Sequence, residues 1–268
     1  MRLAFVVEGS HVYHNRTQVD LLDQLWRVEL PRAIGCIPPH KVFGINKGSV
    51  AAMRLKNTPL RRTTSIAEPL DDILERHRKM HKIDCFVIAW DLVPPWDKEA
   101  PTCRWTETLA LYEGLSLSNS LNSRFRDFAA ARFGEMKQRR QANIRPSAPK
   151  LIKGAVLAVC MEPLFESVFM DEDAMRRCLD VRGIRAKGWP TGWTRGNVRA
   201  TDVIDAAVDA ARDATRGEGI FRAIRQSYET LKTEWGIQFV RSRVFDEGLR
   251  SHPIGRRLRE LRGRLASN

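Results

Sequence analysis

The chain has 268 residues, 43% of them hydrophobic, which is enough for one large domain or two small ones around a sizeable core. Lys and Arg total 45 against 32 acids, a formal net charge of +13, and such an excess favours polyanions, whose condensed counterions the protein's cations displace. No stretch reaches the ~18 apolar residues of a membrane span, Glu8 and Gly9 cut the apolar N-terminus short of a signal peptide, and Cys36, Cys85, Cys103, Cys160 and Cys178 form no Cys-x-x-Cys pair, so a soluble cytoplasmic protein without zinc or disulfide framework is expected.

Four short apolar runs read as buried strands: Leu3–Val7, Lys41–Ile45, Cys85–Trp90 and Ala155–Cys160. Near-continuous hydrophobicity, rather than alternation, predicts strands covered on both faces. Helical spacing lies between them, over Val19–Ile34, Ala67–Lys82 and Arg124–Gln141. The order β-α-β-α-β-α-β implies an α/β fold with a mostly parallel central sheet and flanking helices. The stretch 94–150 reads as an insertion on the sheet edge. After the fourth run, Glu162–Asp180 reads as one helix, followed by a Trp/Gly/Pro loop at 183–196 with Trp189 and Trp193. Thr201 reads as the N-cap of the next helix. A helix over Ile220–Trp235, an extended run at Gln238–Val240 and an Arg-rich helix over Ile254–Leu265 complete a helical C-terminal extension. The expected division is an α/β domain over 1–182 and a basic helical region over 183–268 packed on the same core.

Ligands of open parallel sheets sit beyond the carboxyl ends of the strands. Glu8 follows the first run, Asp91 the third and Glu162 the fourth, with Glu166 one helical turn further on. Carboxylates gathered at one edge repel one another unless a cation neutralises them. A hard divalent ion, Mg²⁺ or Mn²⁺, suits such oxygen ligands and can activate water for phosphodiester cleavage. His11 and His14, just past Glu8, are further candidates for a ligand or proton shuttle. Each of these acids can equally cap a helix or face water.

The strand Phe5–Gly9, hydrophobic residues ending in Glu8-Gly9, resembles the opening motif of TOPRIM domains. The strand Phe86–Asp91 resembles their second motif, a strand ending in Asp-x-Asp. The segment Val159–Asp171 is similar to a Glu-rich helix found in a TOPRIM-like branch that occurs beside the OLD-type nucleases, in bacterial defence or mobile-element settings. The resemblance spans roughly residues 1–180. It implies a TOPRIM/Rossmann-like fold with a metal-dependent phosphodiesterase site, in which Glu8 is a general acid/base or metal ligand and Asp91 a metal ligand. One departure is clear: Leu92 and Val93 follow Asp91, so the second Asp is missing, and Asp97 comes only after Pro94-Pro95-Trp96.

Basic residues concentrate in three places. Five lie between Lys47 and Arg62 with no acid, including Arg54, and six between Arg124 and Arg140, including Arg139. Eight Arg lie between Arg241 and Arg264, including Arg256, Arg257 and Arg259. Arg forks recognise phosphate bidentately. The sequence therefore leads to a metal-dependent nuclease or nuclease-like effector acting on DNA or RNA. Its alternative is a non-catalytic subunit, binding nucleic acid or a protein partner, of a larger defence or mobile-element complex.

Overall fold

The computed structural model describes residues 1–8, 21–45, 47–56, 67–91, 105–144, 147, 150–161 and 165–265; for Glu8, Lys47, Trp90, Asp91, Trp105, Thr106, Cys160 and Met161 it describes the backbone only. The chain forms two compact units, one made of Met1–Val19 and Pro39–Cys160, the other of Asp20–Pro38 and Met161–Asn268. The chain thus passes from one unit to the other three times, rather than once near residue 182.

All four apolar runs are strands: β1 (Leu3–Glu8), β2 (Lys41–Ile45), β3 (Cys85–Asp91) and β4 (Val156–Met161). They make an all-parallel sheet in the order β2-β1-β3-β4. Val6 pairs with Phe43 on one side and Ile88 on the other. The Phe86 N–H donates to the Ala155 carbonyl at 2.9 Å, joining β3 to the start of β4. Side chains from both faces of β1 and β3 are buried, Phe5 and Val87 as fully as Val6 and Ile88. That two-sided burial is why these strands read as continuous hydrophobic runs.

In the first unit, α2 (Lys47–Lys56), α3 (Leu70–His81), α4 (Trp105–Ser116) and α5 (Ser123–Gln141) supply the helices of the core. Met53, Leu74, Leu111, Tyr112, Phe125 and Met136 pack with Val6, Phe43, Phe86 and Val156 in one hydrophobic cluster. The segment read as an edge insertion therefore contains α4 and α5, which belong to this core. Tyr112 also protects the sheet: its hydroxyl oxygen accepts the Ala158 N–H of edge strand β4 at 3.0 Å.

In the second unit, α1 spans residues 21–34 and widens into a π-helix over Gln24–Glu29. Pro31 has no N–H to give the preceding turn, and the Leu30 N–H reaches Leu25 O instead, one residue further back than in an α-helix. The remaining helices are α6 (Glu172–Cys178), α7 (Ala200–Thr215), α8 (Lys232–Arg241), α9 (Asp246–Ser251) and α10 (Pro253–Arg262). Phe169, Phe239 and Phe245 form an aromatic centre, with Phe165 linking Phe169 to Trp26 of α1. Buried Glu29 accepts from Gln24, Arg32 and Arg241, tying α1 to α8. Cys36 and Arg264 close an antiparallel bridge.

Four local expectations are corrected. The Glu162–Asp180 helix is broken: its described part is a 3-10 turn (Phe165–Phe169) and α6, because Asp171 leaves the helical conformation to accept the Ala174 N–H at 2.9 Å. Ile220–Trp235 is not one helix, and Gln238–Val240 is not extended. A 3-10 turn (Gly219–Arg222) ends early, Arg212 and Trp235 both donate to the Gln226 carbonyl at 2.8 and 3.1 Å, and α8 begins only at Lys232. Thr201 lies inside α7, which starts at Ala200 with Arg199 as its N-cap. No helix among the described residues is long and apolar enough to cross a membrane.

Candidate active site

The strand order reverses direction at β1: the chain steps to β2 on one side, then returns across β1 to β3 and β4. A crevice beyond the carboxyl ends of β1 and β3 is where such sheets bind ligands. Glu8 is the last residue of β1 and pairs with Ile45 of β2; Asp91 is the last residue of β3. Val7 pairs with Ala89, so the two acidic positions close neighbouring central strands. His11, His14, Asp97 and Glu162 lie outside the described residues.

Glu166 belongs to the second unit. It is buried, and its Oε1 accepts the Tyr228 hydroxyl at 3.2 Å. Among the described residues no three His, Cys, Asp or Glu side chains gather as a metal site, a statement that covers Glu166 but not the carboxylates of Glu8, Asp91, Asp97 or Glu162. These last four are all oxygen donors, the set that a hard divalent ion takes.

Beside Glu166, Ser167 Oγ lies 3.1 Å from His252 Nε2, with both residues buried. The geometry resembles a nucleophile and its base, but the tautomer is wrong. His252 Nδ1 accepts the Ile254 N–H at 3.2 Å, so Nε2 carries the proton and donates to Ser167. His252 is thus an N-cap of α10, not a base. Burial, then the charges of Arg195 and Arg256, pushes its pKa down to about 4. A base depressed in the fold stabilises it while neutral; that contribution is complete above the unfolded value of 6.5 and is lost as pH falls towards 4. We expect the second unit to lose on the order of 3 kcal/mol across this window. Urea unfolding at about pH 7 and about pH 5 should show the loss, and His252→Asn, which keeps a capping acceptor, should flatten it; an unchanged slope would remove His252 as its source.

The basic candidates are scattered. Arg54 and Arg140 are exposed, and Lys47 opens α2. Arg139 binds Glu135 at 3.0 Å. On α10, Arg256 is exposed and Arg257 reaches Glu260 at 3.4 Å, whereas Arg259 donates to the Arg250 carbonyl at 2.8 Å and holds the α9–α10 junction. Trp189 and Trp193 stack on one another, Arg176 lies over Trp189, and their indole N–H groups bind Glu172 and the Pro190 carbonyl. This pinned loop already uses the rings that base stacking would need.

These features define an α/β protein with a four-stranded all-parallel sheet whose strand order reverses at β1. No family model, curated protein or solved structure matches the chain.

Proposed function

We propose that the protein is a metal-dependent nuclease or nuclease-like effector of the TOPRIM type, acting on DNA or RNA. The observation that carries this reading is the pair of acidic positions, Glu8 and Asp91, ending the two central strands where the order reverses. In this reading Glu8 and Asp91 hold Mg²⁺ or Mn²⁺, with Asp97 of the same unit available to complete the set. The ion, when bound, supplies charge neutralisation and a more acidic water at the scissile phosphate. Glu8 holds or moves the proton of the attacking or leaving oxygen. Lys47, Arg54, Arg139, Arg140, Arg256, Arg257 and Arg259 offer charge to the nucleic-acid backbone with little sequence preference. The test is incubation of the purified protein with DNA and with RNA, with and without Mg²⁺ or Mn²⁺; cleavage that chelation abolishes is the expected result.

A second reading rests on Leu92 and Val93, which stand where the resemblance would have a second Asp close to Asp91. It makes the protein a non-catalytic subunit, binding nucleic acid or a protein partner, of a defence or mobile-element complex. Binding without cleavage on either nucleic acid with either metal would select it. Both readings share one expectation. Replacing Arg256 and Arg257 together with Ala should weaken nucleic-acid binding and lower the slope of log K against log salt by roughly 2, one for each lost phosphate contact. Arg259 is left intact because of its bond to Arg250. An unchanged slope would assign α10 to folding or to a protein contact.

A further inference from the structure

We propose that a cavity at the amino end of the sheet, on the edge opposite Glu8 and Asp91, is a binding site for a phosphate group. It is an open cleft of about 330 Å³, within the range of small-ligand sites. Its position follows from the chain: Asp84 immediately precedes β3 and Gly154 lies just before β4. Buried Ile83 and Phe125 belong to its wall. The chemistry comes from Arg78, Arg124 and Lys153.

The three cations are not equivalent. Glu75 takes Nε and Nη2 of Arg78, each at 2.7 Å, which fixes that guanidinium and neutralises it. Arg124 and Lys153 are exposed and have no ion-pair partner among the described residues. Asp84, the one acid of the lining, accepts the Arg2 backbone N–H at 2.7 Å. That neutral donor leaves the Asp84 charge in place, so with Arg78 neutralised the two cations Arg124 and Lys153 outweigh the one acid by a single charge.

The stem of Arg124 lies against the turn at Gly154. A Cβ at position 154 would overlap the Cγ of Arg124 and come within 2.5 Å of its Cδ. Gly154, at φ +88°, lets the arginine stem lie against the turn, and that turn is fixed by the Gly154 N–H donating to the Asp84 carbonyl at 2.7 Å. Ser123 adds a hydroxyl to the lining beside Arg124. A guanidinium fork, an ammonium and a hydroxyl lining one small polar cavity suit the several oxygens of a phosphate. The group could belong to a phosphorylated small molecule or to the 5′ end of a nucleic acid. The inference is independent of catalysis at the opposite edge.

The test is calorimetric titration of the full chain with inorganic pyrophosphate, without divalent metal. Arg124→Glu and Lys153→Glu should each weaken binding by about tenfold or more, while Lys187→Glu, an exposed charge reversal in the other unit with the same change in net charge, should leave it nearly unchanged. Circular dichroism checks that each variant is folded. A 5′-phosphorylated oligonucleotide that displaces pyrophosphate where its 5′-hydroxyl counterpart does not would identify a nucleic-acid end as the source. Displacement by neither would leave the phosphorylated small molecule as the source. Absence of pyrophosphate binding, or equal weakening by all three charge reversals, overturns the proposal.

Discussion

Glu8→Gln is expected to cut metal-dependent cleavage by ~100-fold or more while leaving nucleic-acid affinity and melting temperature nearly unchanged, the scale expected for loss of a general acid/base or metal ligand. Gln keeps the size of the side chain and removes its charge. Position 8 ends β1 next to β3, and the β1–β3 pairing runs up to Val7 and Ala89. The substitution therefore falls at the end of the ladder rather than within it. If Glu8 only caps local backbone, the same change should cost about 1 kcal/mol of stability and spare activity. Melting and cleavage measured on one preparation separate the two outcomes. Asp91→Asn should behave like Glu8→Gln if both positions hold the same ion.

The largest structural effect is expected at a glycine. Gly255 lies in α10, where a Cβ would overlap the Leu249 carbonyl oxygen and approach its carbonyl carbon to 2.9 Å. Helix propensity alone favours Ala over Gly by about 1 kcal/mol. Overlap with backbone, which cannot swing aside as a side chain can, typically costs about 1–3 kcal/mol and occasionally more. The clash should win, so Gly255→Ala is expected to destabilise the second unit. Gly134, within α5, has open space where its Cβ would be, so Gly134→Ala should stabilise by up to about 1 kcal/mol. Urea midpoints of the two variants should move in opposite directions. Movement in the same direction would show that propensity or packing had been misjudged at one of these sites.

The strands were legible because burial on both faces leaves an unambiguous apolar run, and their acidic ends could be read off directly. Less legible was everything governed by one polar side chain. Asp171 splits a helix by capping its second half, and Gln226 gathers two side-chain donors in a stretch whose spacing looks helical. The π-turn of α1 immediately precedes Pro31, which lies inside the Val19–Ile34 span that helix spacing alone reads as regular. Sites assembled across the chain were invisible. Ser167 and His252 stand 85 residues apart, and Arg78, Arg124 and Lys153 meet only because α3, α5 and the approach to β4 converge. Cys36 and Cys85 are buried, and burial raises both thiols.

The threefold passage between units has a consequence for synthesis. Residues 20–38 leave the ribosome more than 200 residues ahead of their partners. Arg241 reaches Glu29 across 212 positions, and Arg250 reaches the Ala33 carbonyl across 217. Until those arginines arrive, α1 carries a buried-type carboxylate and an apolar face including Leu25, Trp26 and Leu30 with no finished unit to join. Contacts this distant in sequence make folding slow and leave apolar surface open in the meantime. For the same reason neither unit can be excised as one continuous segment: a cut near residue 160 keeps the whole sheet but strands α1, and the remainder lacks the helix that carries Glu29.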